Sequence, residues 1–152
     1  MDMLKHPGMA DMPELLEKLD ALRKEGKKIV FTNGCYDILH PGHVDLLERC
    51  KAQGDVLVLG LNSDESVKRQ GKGDDRPVNP YPVRAFVLAH LESVDFVVRF
   101  DEDTPAKLIE AVRLAVIRKQ GENHLHAEQI PAMLDDELPQ QAIVSAFRKY
   151  KR

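Results

Sequence analysis

Residues 29–47 read IVFTNGCYDILHPGHVDLL, and this stretch restricts the fold more than any other in the chain. Ile29, Val30 and Phe31 are apolar at successive positions, which suits a strand of a parallel sheet covered on both faces. Asn33 and Gly34 bring that strand to its end. Pro41 fits the first turn of a helix, where its missing N–H has no partner to lose. Val44, Leu47 and Cys50 then recur at helical spacing. His40 and His43 therefore flank a helix N-terminus, the end whose free N–H groups and positive dipole attract anions.

The rest of the chain can be read around that unit. Residues 1–12 have the composition of a loose leader, and residues 13–152 are expected to form one domain. In PELLEKLDALRKEG, Leu15, Leu16, Leu19 and Leu22 make one apolar stripe and Gly26 follows as a stop, so a helix is expected over the sheet. Gly54 ends the central helix, and Val56 to Leu61 form a second strand. The resulting βαβ unit should cross over right-handedly and bring both strand C-termini to one edge. Residues 63–82 read as a long polar loop with one helical turn at Glu65 to Lys68. A helix from Val83 to Leu91, a strand from Val94 to Phe100 and a helix from Thr104-Pro105 to Val112 follow. Leu114 to Ile117 and Ala142 to Phe147 are the expected fourth and fifth strands, with a short helix from Glu128 to Leu134 between them. This predicts an α/β fold: a Rossmann-like, five-stranded parallel sheet with helices on both faces.

Composition narrows the partners. A formal charge of −3 and an isoelectric point near 6.1 provide no broad basic field, so nucleic acid is not expected. Cys35 and Cys50 form neither a CxxC pair nor a disulfide framework and are expected to be reduced. The first residues lack the apolar core of a signal peptide, and no stretch reaches the ~20 apolar residues of a membrane span. A cytoplasmic protein without membrane contact is expected.

Ligands of open α/β sheets bind beyond the carboxyl ends of the strands, where the winding reverses. The chain has neither the GxxxxGK[ST] of a P-loop nor a GxGxxG fingerprint. It has HPGH. Gly42 leaves out a side chain where a phosphate must approach the backbone, and the imidazoles of His40 and His43 can donate to its oxygens. The remaining histidines fit no such site: His124 and His126 form an HxH pair without a third metal ligand at a suitable spacing, and no metal ligand is named.

TNGCYDILHPGHVDLLERC, continued by GDVLVLGLNSDESVKR and GKGDDRPVNPYPVRAFVLAHLESVDFVVRFDEDTP, resembles the cytidylyltransferase-like nucleotidyltransferases with the HxGH motif. Within them it is most similar to the nucleotidyltransferase domains of the ADP-heptose synthase family. The resemblance implies transfer of a nucleotidyl group from ATP, with CTP as the alternative, to a sugar 1-phosphate such as heptose 1-phosphate, with release of pyrophosphate. Magnesium is expected to arrive bound to the triphosphate. By the same resemblance His40, His43, Lys72 and Arg84 are catalytic, with Arg84 contacting phosphate. Thr32, Asn33, Gly34, Cys35, Asp37, Gly42, Lys119 and Gly121 belong to the nucleotide site, and Asn62, Asp64 and Lys68 to the acceptor site. Residue chemistry leaves a second reading open for Asp37, capping of backbone N–H groups, and for Asn62 and Asp64, turn formation after a strand.

The C-terminal part departs from the family pattern. Lys119, Gln120, Gly121 and Glu122 match its KGGD-like segment imperfectly, and the Ser/Thr cluster that opens its final helix is missing. An alternative function is therefore a catalytically impaired nucleotide-binding module serving as a regulatory or partner subunit. A homodimer is a further expectation, because a second copy would cover the apolar surface that the missing helix leaves.

Overall fold

In the computed structural model, the structure describes residues 4–71, 73–103 and 105–112. Side chains alternate between two faces along the central strands, and each face has its own helices. The elements in order are β1 (Met9–Ala10), α1 (Met12–Lys24), β2 (Ile29–Gly34), α2 (Pro41–Lys51), β3 (Val56–Asn62), α3 (Asp64–Arg69), α4 (Tyr81–Ala89) and β4 (Phe96–Phe100). Residues 106–112 are helical as well. All pairings are parallel and the strand order is β1-β4-β3-β2.

Ile29 and Phe31 of β2, Val56 and Val58 of β3, and Val98 and Phe100 of β4 share one core with Leu15 and Leu19 of α1 and with Leu108, Ile109 and Val112. Val30, Leu57, Leu59, Leu61 and Val97 face the other way, against Leu47 and Cys50 of α2 and Ala85 and Leu88 of α4. A fully buried Leu or Val contributes about 1.5–3 kcal/mol, so these two layers supply most of the driving force. Gly60 lies in the first layer, where a Cβ would come within 2.8 Å of Leu108 Cδ2 and 2.9 Å of Phe31 Cζ. On the second side, Asp95 accepts from the Leu57 N–H at 2.7 Å and pairs with Lys51, which ties the end of α2 to the start of β4.

Among the described residues the sheet has four strands: the three expected there and β1. The expected strands at 114–117 and 142–147, and the short helix at 128–134, lie outside the described residues. One expectation needs correction, that of the N-terminal segment as a loose leader. Met9 and Ala10 pair with Val97 and Val98 as an edge strand, and Asp11 caps α1 by accepting from the Glu14 N–H at 3.0 Å. Parallel pairing needs only a backbone beside β4, so a two-residue strand carries no periodic pattern that would announce it.

Candidate active site

β2, β3 and β4 all end at one edge, and the site is built on the loop that leaves β2. Gly34 closes the strand and the chain reverses at Tyr36, whose φ of 46° lies in the left-handed region. That conformation costs roughly 1–2 kcal/mol for a residue with a Cβ. Burial holds it in place: Tyr36 is 4% exposed, and its ring meets that of His43 edge-on, with 5.2 Å between centroids. Desolvation raises the phenol pKa well above the ordinary value, so Tyr36 stays neutral. It is a residue that the sequence pattern did not single out.

His40 is the N-cap of α2 and His43 is in its first turn. Nδ1 of His40 accepts from the Gly42 N–H at 3.1 Å, and Nδ1 of His43 accepts from the His40 N–H at 3.3 Å. The two rings stack with centroids 3.9 Å apart. An imidazole whose Nδ1 accepts carries its proton on Nε2, so both neutral rings keep an Nε2–H donor. Burial, and after it the neighbouring His40, lowers the His43 pKa, which favours this neutral form. Gly42 is required beneath them, because a Cβ there would lie 2.8 Å from Cε1 of His40.

The histidines open onto a cleft of about 430 Å³ that Cys35, Tyr36, Asp37, Ile38, Val67 and Arg76 also line. Cys35 is half-buried and its thiol donates to Gln70 Oε1 at 3.4 Å. Asp37, also half-buried, accepts at Oδ1 from the Asn79 N–H and at Oδ2 from the Val78 N–H, at 2.9 and 2.8 Å. Arg76 Nη1 donates to Oδ2 at 3.2 Å. Burial alone would raise the Asp37 pKa, but these three donors outweigh it and hold the carboxyl below the usual carboxylate range. Asp37 thus pins the loop at 76–79, the capping role that residue chemistry left open.

Arg84, the expected phosphate contact, is held by protein oxygens in this structure. It is 2% exposed and points under the site. Nε donates to Asn79 O at 2.8 Å, Nη1 to Cys35 O and Asn62 O at 2.9 Å each, and Nη2 to Asp64 Oδ1 at 2.6 Å. One guanidinium thereby joins the ends of β2 and β3 to the start of α4. Asn62 and Asp64 are engaged in the same network, since Asn62 Nδ2 donates to Ser66 Oγ and Asp64 also accepts from the Tyr81 N–H. The sequence held a signal for this placement: Arg84 is four residues before Leu88, on the buried face of α4.

Thr32 is wholly buried beside Tyr36 and Cys50. Asn33 is half-buried, and its Oδ1 is shielded from solvent without a partner among the described residues. Gly34 is buried at the strand end, and Lys68 is exposed on the last turn of α3. Lys72, Lys119 and Gly121, like His124 and His126, lie outside the described residues. Among the described residues no group of three or more His, Cys, Asp or Glu side chains gathers as a metal site, and no helix is long and apolar enough to cross a membrane.

A family model described as cytidylyltransferase-like matches residues 31–150, most of the chain and all of this site. The chain belongs to the cytidylyltransferase-like family. This member is 58% identical over 109 residues to the bifunctional protein HldE of a Nitratiruptor species, a match covering 72% of this chain and 23% of that protein. It is 50% identical over 132 residues to the bifunctional protein HldE of Helicobacter pylori, covering 87% of this chain and 27% of that one. The chain therefore spans about a quarter of the length of these relatives. Among solved structures, a lipopolysaccharide core biosynthesis protein from Thermoplasma volcanium aligns with a TM-score of 0.53 and 30% identity, over 58% of this chain and 70% of that one.

Proposed function

We propose that this cytidylyltransferase-like chain is a sugar-phosphate nucleotidyltransferase that moves AMP from ATP to a sugar 1-phosphate, heptose 1-phosphate by preference, and releases pyrophosphate. The observation that carries the reading is the pair of stacked imidazoles at the N-terminus of α2, each with Nδ1 occupied by a backbone N–H and Nε2–H left as a donor. The relatives named HldE and the lipopolysaccharide core biosynthesis protein support a substrate of the heptose and lipopolysaccharide class.

The chemistry asks for positioning and charge stabilisation. The acceptor's phosphate oxygen is already ionised near neutral pH and needs no general base. It attacks the α-phosphorus of ATP; a new P–O bond forms, the bond from the α-phosphorus to the bridging oxygen breaks, and pyrophosphate leaves with that oxygen. Negative charge builds on the non-bridging and leaving oxygens. Two fixed Nε2–H donors and the positive end of α2 stabilise it without reorganising, and one such donor is worth about 10²–10³ in rate. ATP enters as its magnesium complex, with the ion on phosphate oxygens.

The test is pyrophosphate release with ATP or CTP against heptose 1-phosphate, other sugar 1-phosphates and glycerol phosphate. Turnover with ATP and a sugar 1-phosphate is the expected result. Silence with every pair would overturn the reading.

A further inference from the structure

We propose that Arg76, docked on Asp37, is the residue that grips and orients the acceptor's phosphate, a role that rests on the nucleotidyl-transfer reading above. Arg84 has every nitrogen engaged by protein oxygens and is 2% exposed. Arg76 is the opposite case. It lines the same cleft as His40 and His43, its side chain is 37% exposed, and only Nη1 has a partner among the described residues. Among the described residues the rest of its guanidinium fork meets no protein acceptor, and it faces the cleft.

Asp37 anchors the loop at several points. Asp37 already holds the segment through the N–H groups of Val78 and Asn79, and Asn79 Nδ2 returns a bond to Asp37 O at 2.9 Å. Adding Arg76 to that carboxylate fixes a planar, two-pronged donor on a cleft wall. A guanidinium binds two oxygens of one phosphate side by side, which leaves the third free to point elsewhere. That geometry suits a phosphate monoester that must aim one oxygen at the α-phosphorus. The charge balance fits as well: the Asp37–Arg76 pair is close to neutral, so it orients a nucleophile while withdrawing less charge from it than an unpaired cation would. The histidines and the helix end, whose first turn holds no acidic residue, suit the triphosphate. Arg76 is then a binding residue and Asp37 a positioning residue.

The experiment compares the full chain with Arg76→Ala, Arg76→Lys and Asp37→Asn in steady-state kinetics, with ATP binding followed by calorimetry and folding by urea denaturation. Arg76→Ala should raise the KM for the sugar 1-phosphate by about 10- to 100-fold, as loss of charge-assisted hydrogen bonds implies, and leave the KM and Kd for ATP unchanged. Arg76→Lys, which keeps the charge and the pairing but not the fork, should recover little of the loss. Asp37→Asn should move the acceptor KM in the same direction by a smaller factor. An unchanged acceptor KM in both Arg76 variants, or a parallel fall in ATP affinity, would overturn the assignment. If the wild-type chain shows no turnover, nucleotidyl transfer itself fails; a ³¹P NMR titration with a sugar 1-phosphate then still decides Arg76, with weaker binding in the Arg76→Lys variant supporting it and equal binding refuting it.

Discussion

Replacing Arg84 by Met should unfold the site before it touches the chemistry. The guanidinium reaches three carbonyls and one carboxylate at 2.6 to 2.9 Å, and Met fills much of the same space with no donor. Removing one partner of a buried, hydrogen-bonded charge costs about 3–5 kcal/mol, and carbonyls left without donors cost about 1–3 kcal/mol each when water cannot reach them. Asp64 remains 29% exposed and can recruit water, as can the partly buried Asn79 and Cys35 carbonyls, which places the loss at the lower end, about 3 kcal/mol. With a denaturant slope of about 1–3 kcal/mol per molar urea, the midpoint should fall by about 1–3 M. The chain has no tryptophan, so far-UV circular dichroism is the suitable signal. Arg84→Lys should recover only part of the loss, since one ammonium cannot span four acceptors at the ends of three segments. An unchanged midpoint together with weakened ATP binding would refute this reasoning and return Arg84 to the phosphates.

Other expectations follow from the same geometry. His40→Ala and His43→Ala should each lower kcat for pyrophosphate release by about 10²–10³ and cost about 1 kcal/mol of stability through the lost cap, read as urea midpoints. Because the folded His43 pKa lies below its ordinary value, the unfolded chain takes up the proton first as pH falls past about 6.5. Stability should therefore be flat above that pH and decline below it until the depressed folded value is passed; His43→Gln should reduce the decline, measured as urea midpoints across that range. Gly60→Ala should cost about 1–3 kcal/mol by overpacking Phe31 and Leu108, seen as a lower Tm with the active-site loop untouched.

The βαβ core was legible because its signals are local and agree with one another. β2, α2 and β3 fall where the apolar runs, Pro41 and Gly54 put them, and α1 ends before Gly26, whose φ is 79°. The helical turn expected at Glu65 to Lys68 is there as α3, one residue longer at each end. The HPGH stretch marked the start of α2, and its two histidines do line a cleft. What it could not disclose is which charged residues turn inward. Asp37, Asn62, Asp64 and Arg84 are polar residues near the sheet edge in sequence, yet they are joined to one another or to the backbone by contacts 17 to 49 residues apart. Arg76 and Tyr36 were missed for the same reason. A cation in a polar loop and an aromatic after a strand are ordinary features until the fold brings Asp37 to one and His43 to the other.

β1 protects the molecule in a way that its two residues do not advertise. Val97 donates to Gly8 O at 2.7 Å, and Met9 and Ala10 pair with Val97 and Val98, so the middle of that strand's outer rim is already taken. An unpaired rim of this kind recruits strands from neighbouring molecules. A protease that clips the backbone near Gly8 would leave His40 and His43 in place and still ruin the preparation, because the damage would show first as turbidity and light scattering and only later as lost turnover.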